Sequence, residues 1–512
     1  MTNPVAAIRM LITYAVIIPV AIAAGYLLTN PLDLGTLGYL GIIIAILISP
    51  LFIKWHYPIL IFGLACPAVC FFLVGRPPLA QVVVILSLGI AITERILNSE
   101  KRFLSAPVMT WPLLFIAGLT YVTAELTGGI GLHALGGDTG GGKKYISLFL
   151  GIATFFALTS RTIPRHHRNF YIALSILPSV LGLIGDLFPY LPSPLNLINL
   201  LFPPTNYIGE GAEVEIGKTR LASFSYAIGA VMLFLLARYG LRGILSPRQP
   251  WRAALFVASF LLQMLGGFRN AFGIMGLLLA LMFLFERLYR TRLLPVLLLL
   301  GVLGVTVLAT FSDKLPYTFQ RSMSFLPLKW NTDVVLDAES TTEWRFNIWR
   351  STWPKVPEYL LLGKGYGLSK EDYENIGTGT FANLNASHID AGDATLAISS
   401  DYHSGPLSTL MPFGLWGGIG MLWLMAATFF VTYRNYKYGD PELQTYNIYL
   451  LASTIVAIIV FLFIFGAFAV DVANFCRLAG MSLAMNGGLA GRQAKAVSNP
   501  RIKPLAAAPQ PA

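Results

Sequence analysis

Charged side chains are scarce in this sequence. Asp, Glu, Lys and Arg make up 12% of its 512 residues, and 55% of the residues are hydrophobic. Soluble domains carry about 25% charged residues, so this composition excludes an ordinary soluble enzyme and indicates a membrane protein.

Cysteine is also rare. Cys66, Cys70 and Cys476 all fall in apolar segments and offer neither metal-ligand spacing nor a disulfide framework, so we interpret them as packing residues.

Apolar runs recur along the chain. Each run is long enough, at roughly 17 to 25 residues, to cross a hydrocarbon core of about 30 Å as a helix. The first run resembles a signal peptide but leads directly into further spans, so we interpret it as an uncleaved helix. The predicted spans lie near 10–28, 37–53, 57–75, 79–97, 105–127, 145–160, 169–188, 222–240, 251–267, 270–287, 293–311, 405–432 and 446–470, with a weaker fourteenth near 473–490 that contains Arg477. The sequence therefore predicts an all-α polytopic membrane protein with about 12 to 14 transmembrane helices.

Basic residues are distributed unevenly between alternate loops. With the N-terminus inside, the inside loops hold 21 Lys and Arg residues and the short outside loops hold six. This bias predicts a cytoplasmic N-terminus and an outside position for the long polar segment near the C-terminus. The net charge of +11 is spread over these short loops and forms no stripe for nucleic acid. The predicted organisation is transmembrane helices in 1–311, a periplasmic loop or lid containing short helices in 312–404, further transmembrane helices in 405–490, and a disordered cytoplasmic tail in 491–512.

His403 stands where the long polar segment gives way to a renewed apolar run. A titratable imidazole at the water end of a membrane helix suits proton transfer near a bilayer surface. A polar anchor for the helix end is the simpler alternative. Arg220 and Arg269 are predicted at outside helix ends, where they either snorkel to the interface or contact a negative partner. The positive-inside rule favours the negative partner, because it disfavours arginine on this side.

Two further patterns lie in outside segments. Ser340 to Glu343 match a capping box, which predicts a helix from Trp344 to Trp353 that Pro354 ends. Arg345 and Trp349 are predicted on one face of this helix and Arg350 elsewhere.

The glycine-rich stretch 137–143 resembles a phosphate-binding loop. However, Lys144 follows it where Ser or Thr should hold magnesium, which favours a plain flexible loop. On the inside, Glu94 and Arg95 are expected to form a local ion pair.

These pieces together resemble the O-antigen ligase family. The resemblance rests first on His403-Ser404, followed after nine residues by Gly414 and after two more by Gly417. This spacing fits the ligase pattern of His, then Asn, Ser or Gln, nine residues, Gly, two residues, and Gly, Thr or Tyr. Further likenesses are the outside arginine Arg220 before a span, Arg269 at the start of a later span, and Arg345-x-x-x-Trp349 followed by the glycine-rich turn 362–367. The resemblance covers roughly residues 200 to 480, and Phe268 and Asn270 flank Arg269 where small hydroxyl residues are usual.

The resemblance implies transfer of a glycan from an undecaprenyl-diphosphate carrier to lipid A-core or another glycan acceptor. It implies that His403 is the catalytic base and that the diphosphate is bound by Arg220, Arg269, Arg345 and Arg350. No metal or other cofactor is implied, because we find no carboxylate pair or His/Asp cluster with ligand spacing. The expected location is the bacterial inner membrane, with the active site facing the periplasm.

Three alternatives remain open at this stage. A polymerase for O-antigen or exopolysaccharide and a protein O-glycosyltransferase share the chemistry and differ in the acceptor. A transporter or flippase for lipid-linked glycans belongs to another class and also suits 12 to 14 spans. Transporters usually place polar residues and broken helices near the bilayer midplane, whereas the candidate residues here lie at outer helix ends.

Overall fold

The described part of the chain is almost entirely helical. The computed structural model describes residues 34–73, 75–100, 102–130, 141–187, 197–203, 221–367 and 402–491, with isolated positions 14, 18, 19, 21, 22, 25 and 400. The described residues are 79% helical, and no strand occurs among them. Within the described ranges, eight helices are long and apolar enough to cross a membrane, and three shorter apolar helices accompany them. The predicted all-α polytopic membrane fold is confirmed.

The helices are numbered here in chain order. They are α1 (Leu34–Ala65), α2 (Leu79–Leu97), α3 (Pro107–Thr127), α4 (Gly142–Thr159), α5 (Arg168–Leu174), α6 (Leu183–Leu187), α7 (Leu197–Leu201), α8 (Ala222–Ile244), α9 (Pro250–Gln263), α10 (Arg269–Phe285), α11 (Leu293–Phe311), α12 (Tyr317–Met323), α13 (Thr332–Thr352), α14 (Val356–Tyr359), α15 (Gly405–Tyr438), α16 (Gln444–Phe463) and α17 (Phe468–Asn486). Short 3-10 helices lie at Arg165–His167, Leu177–Gly182, Met264–Gly266, Leu288–Arg290, Ser312–Lys314, Trp353–Lys355 and Pro441–Leu443. The chain divides into two compact units, residues 1–59 and 60–512, and every helix from α2 onward belongs to the second.

The main core of the second unit is formed by α3, α4, α15, α16 and α17. Helices α4 and α17 pack most closely, because small residues line their contact. A Cβ atom on Gly151 would lie 3.1 Å from the Cβ of Ala473, and one on Gly480 would lie 2.9 Å from the Cβ of Leu158. Small residues allow such close approach in membranes, where van der Waals packing and hydrogen bonds hold helices together.

Several local predictions differ from the structure. The chain forms one helix, α1, where we predicted spans at 37–53 and 57–75, and residues 66–73 and 75–78 are not helical. This segment contains Pro67, Pro77 and Pro78, which lack the amide donor that a helix interior requires. The predicted Glu94–Arg95 ion pair is wrong, because Glu94 pairs with Arg161 at 2.6 Å.

The predicted start of the helix in the polar segment is also wrong. Helix α13 begins at Thr332, where the side chain of Asn331 accepts a hydrogen bond from the amide of Asp333 at 3.2 Å. Ser340 therefore lies inside the helix, and its hydroxyl donates to the carbonyl of Asp337. The asparagine at the N-cap and the acid in the first turn outweigh the later capping-box pattern. The helix ends just before Pro354, as predicted.

Some predictions fall outside the described residues. These concern Arg220, nearly all of the first predicted span, the phosphate-loop resemblance up to Gly140, most of the loop that precedes α8, and the tail after Gly491.

Buried asparagines tie together the ends of α15, α16 and α17 that lie away from His403. The side-chain amide of Asn447 donates to the backbone carbonyl of Asn435 and to the side-chain oxygen of Asn486, both at 3.1 Å. Asn486 donates back to Asn447 at 2.9 Å, and Asn435 donates to the hydroxyl of Ser482 at 2.9 Å. These hydrogen bonds between side-chain amides fix the relative positions of the three helices. His403 lies just before the opposite end of α15.

We expect Asn447→Ala to destabilise the protein by about 1 to 3 kcal/mol, because it removes the hydrogen bonds that Asn447 makes with Asn435 and Asn486. Thermal unfolding of the detergent-purified protein measures this as a lower midpoint. Asn347→Ala is the matched control, since Asn347 is exposed on α13. Equal midpoints for the two variants would contradict the proposed role of the cluster.

Candidate active site

His403 lies immediately before α15, in a backbone conformation that side chains other than glycine rarely adopt. Its φ angle is +49°, within the left-handed region, where a non-glycine residue costs about 1 to 3 kcal/mol. The next residue, Ser404, is the N-cap of α15, and its side-chain oxygen accepts a hydrogen bond from the amide of Leu407 at 3.5 Å. The His-Ser pair of the sequence motif thus consists of a histidine in a strained position and a serine that caps the helix.

Two aromatic rings flank the imidazole. The ring centroid of His403 lies 5.0 Å from that of Trp344 on α13 and 5.2 Å from that of Phe465, in the turn between α16 and α17. The residue as a whole is only partly buried, and its Nδ1 atom is buried. Trp349 also joins α13 to this position, because its indole nitrogen donates to the carbonyl of Tyr402 at 3.0 Å.

The first glycine of the motif, Gly414, breaks α15 between two and three turns after its start. Gly414 has φ +60° and ψ −156°, which interrupts the helix. The interruption leaves backbone groups free to pair with a loop that lies beside the helix. The carbonyl of Pro412 accepts from the amide of Gly365 at 3.0 Å, and the amide of Leu415 donates to the carbonyl of Leu360 at 2.7 Å. A Cβ on Gly363 would lie 2.1 Å from the Pro412 oxygen, so this approach requires glycine.

This docked loop, residues 360–367, brings two further side chains to the site. The ammonium of Lys364 lies 5.8 Å from the ring centroid of Tyr402, the residue that precedes His403 in the chain. Tyr366 is buried, and burial, together with the neighbouring Tyr145 and Tyr402, raises the pKa of its hydroxyl far above the usual range. Tyr366 therefore stays protonated and does not act as a base, whereas Lys364 adds a cation that we had not predicted.

Arg269 is the first residue of α10 and contacts the same helix that contacts His403. One terminal nitrogen of its guanidinium donates to the carbonyl of Ala338 at 2.6 Å and to the hydroxyl of Thr342 at 2.9 Å. Along α13, Thr342, Arg345 and Trp349 follow at spacings of three and four residues, so they share one face. Seven residues separate the Arg269 contact at Thr342 from the Trp349 contact beside His403, which corresponds to about 10 Å.

The predicted site residues therefore divide into groups. Arg269 and His403 both contact α13, through Thr342 and Trp344, and Arg345 on the same helix is partly buried. Arg350 is exposed and lies five residues from Arg345, on another side of the helix. Its predicted contact with diphosphate stays a prediction. Arg220 lies outside the described residues.

Arg321 was not among the predicted residues, yet it connects the elements that position Arg269. It is 3% exposed, and its three guanidinium nitrogens reach three different partners. They contact a carboxylate oxygen of Asp337 at 2.5 Å, the carbonyl of Gly267 at 2.7 Å and the hydroxyl of Thr341 at 3.1 Å. Gly267 belongs to the turn before α10, so Arg321 joins that turn to α13.

We expect Arg321→Ala to loosen this segment, because it leaves a partly buried carboxylate and a buried carbonyl without their cation, at a cost of about 2 kcal/mol. Limited trypsin digestion should then cleave faster after Lys329 and Lys355, and Arg321→Lys should restore only part of the protection. Lys314→Ala removes an exposed cation from the same segment and is the control. Unchanged cleavage in Arg321→Ala would rule out the positioning role.

The fold and the site define a polytopic helical membrane protein with a histidine and several cations around one helix of a polar segment. Residues 254–424 match the family model described as O-antigen ligase. This match confirms the resemblance to the O-antigen ligase family that the sequence showed. The matched region contains Arg269, Arg345, Arg350, His403 and both motif glycines. No curated protein matches the chain significantly.

Proposed function

We propose that this protein is a ligase-type glycosyltransferase of the bacterial inner membrane. It transfers a glycan from an undecaprenyl-diphosphate carrier to a hydroxyl group of an acceptor on the periplasmic face, with O-antigen and lipid A-core as the donor glycan and the acceptor. One observation carries this proposal. His403 and the guanidinium of Arg269 both contact α13, through Trp344 and Thr342, and Arg345 follows directly on the same helix.

In the proposed reaction the arginines bind the donor diphosphate. A guanidinium pairs with phosphate oxygens through two parallel hydrogen bonds and stays charged at any working pH. Because diphosphate is already a good leaving group, the site needs cations to neutralise it and needs no acid to protonate it. Lys364 supplies a further positive charge beside Tyr402.

His403 is the proposed general base. The acceptor hydroxyl gives its proton to the imidazole while its oxygen forms the new bond to the anomeric carbon, and the diphosphate leaves with the electron pair of the old bond. A single direct displacement inverts the anomeric configuration. The rings of Trp344 and Phe465 restrict the imidazole orientation, which supports a base held ready for proton transfer. The proposal requires no metal ion.

We expect His403→Ala to lower product formation by about 10²- to 10⁴-fold, the usual contribution of a general base. The measurement combines the purified full-length protein, a lipid-diphosphate glycan donor and an acceptor, and quantifies the glycosidic product. His403→Gln tests whether a hydrogen-bonding side chain of similar reach is enough. His166→Ala is the control, because His166 is exposed in the loop before α5. Equal product with wild type and His403→Ala would refute the base assignment, and translocation of intact donor without product would favour a flippase.

A gene deletion separates the possible acceptors. Loss of a ligase should leave lipopolysaccharide as bare core while lipid-linked polymer accumulates, whereas loss of a polymerase leaves core that carries a single repeat. Electrophoresis of lipopolysaccharide distinguishes these patterns. A normal ladder together with unglycosylated periplasmic protein would instead favour a protein O-glycosyltransferase.

A further inference from the structure

An arginine stands in the middle of a membrane helix, apart from the candidate active site. Arg477 is the tenth of the 19 residues of α17, about 14 Å from the start of the helix. Among the described residues, no acidic side chain forms an ion pair with it. Charged side chains inside membrane segments usually face a cavity and mark a functional site. Arg477 is therefore a candidate for binding a ligand.

A cavity of about 540 Å³ lies beside Arg477, between α2, α4 and α17. This volume is in the range of small-molecule sites. Its wall has a polar and an apolar portion. The polar portion contains Gln81, Ser147, Thr154, Asp471, Asn474 and Arg477. The apolar portion includes Leu64, Val84, Leu150 and Val470. A ligand for this cavity must therefore combine a polar group with an apolar chain.

The cavity begins at the same side of the membrane as His403. Phe465, which packs against His403, lies three residues before α17. The starts of α2 and α4 lie together, because the side-chain amide of Gln81 donates to the hydroxyl of Ser147 at 2.9 Å.

The charges in the wall favour an anion. The carboxylate of Asp471 accepts a hydrogen bond from the amide of Ala467 at 2.9 Å, so it caps the start of its own helix. Arg477 and the amide of Asn474 then supply donors toward the cavity. A guanidinium binds phosphate oxygens especially well, and the apolar wall matches a hydrocarbon chain.

We propose that this cavity binds one phosphate-bearing lipid of the bilayer. Its phosphate contacts Arg477, and the first part of its chain lies against Leu64, Val84 and Leu150. A free phosphate ion would leave the apolar wall exposed to water, and an uncharged lipid would leave the arginine without an anion. This site is separate from His403 and does not depend on the proposed glycosyl transfer.

Lipid binding to the full-length protein tests the proposal. The purified protein is titrated in detergent with phosphatidylglycerol, with diacylglycerol of the same chains, and with inorganic phosphate, and native mass spectrometry counts the bound molecules. Wild type should bind one phosphatidylglycerol more tightly than the other two ligands. Arg477→Gln should weaken this binding about tenfold, and Arg477→Lys should weaken it less. Arg434→Gln, near the far end of α15, is the matched control and should bind as wild type does.

A second variant keeps the test decisive if Arg477→Gln folds poorly. Ala80 lines the cavity, so Ala80→Trp should fill part of it and reduce phosphatidylglycerol binding while Arg477 remains. Unchanged binding in both variants overturns the proposal. Equal binding of diacylglycerol overturns the phosphate contact, and saturation by inorganic phosphate alone shows a site for free anions and no lipid.

Discussion

The break in α15 at Gly414 is the constraint on which the candidate site depends. A continuous helix would satisfy its own backbone groups and leave nothing for a neighbouring loop to pair with. Because the helix opens at this glycine, the carbonyl of Pro412 and the amide of Leu415 pair with the loop 360–367. The loop then follows the start of α15 closely, which brings Lys364 beside Tyr402.

Helix α13 is the surface on which the separate parts meet. One of its faces contacts Arg269 near its middle and the residues around His403 near its end. Arg321 fixes the turn before Arg269 against the same helix through three different partners. The asparagine cluster fixes α15, α16 and α17 at the ends that are far from His403, and this supports the strained start of α15. Rigid support of this kind lets a fold hold side chains in positions that local sequence alone does not favour.

Sequence patterns predicted the parts of this structure that depend on local composition. Hydropathy located α11 at its observed bounds, because an apolar run and its flanking polar residues determine a membrane helix. The motif placed His403 at the start of a helix, where it is found. Patterns failed where distant residues decide. The partner of Glu94 lies 67 residues further along the chain, and the contact between Arg321 and Gly267 spans 54 residues. No spacing rule detects such pairs, and the one-residue cap at Asn331 outweighed a more familiar pattern at Ser340.

At residue 403, the left-handed backbone and the proposed proton transfer require different side chains. Glycine is the amino acid that this φ angle suits best, and a glycine there would relieve strain and strengthen the fold. Only the imidazole, however, offers a proton acceptor at this place between two aromatic rings. Thermodynamic stability and reactivity thus favour different amino acids at residue 403, and the protein has histidine, the residue that this backbone conformation suits less well.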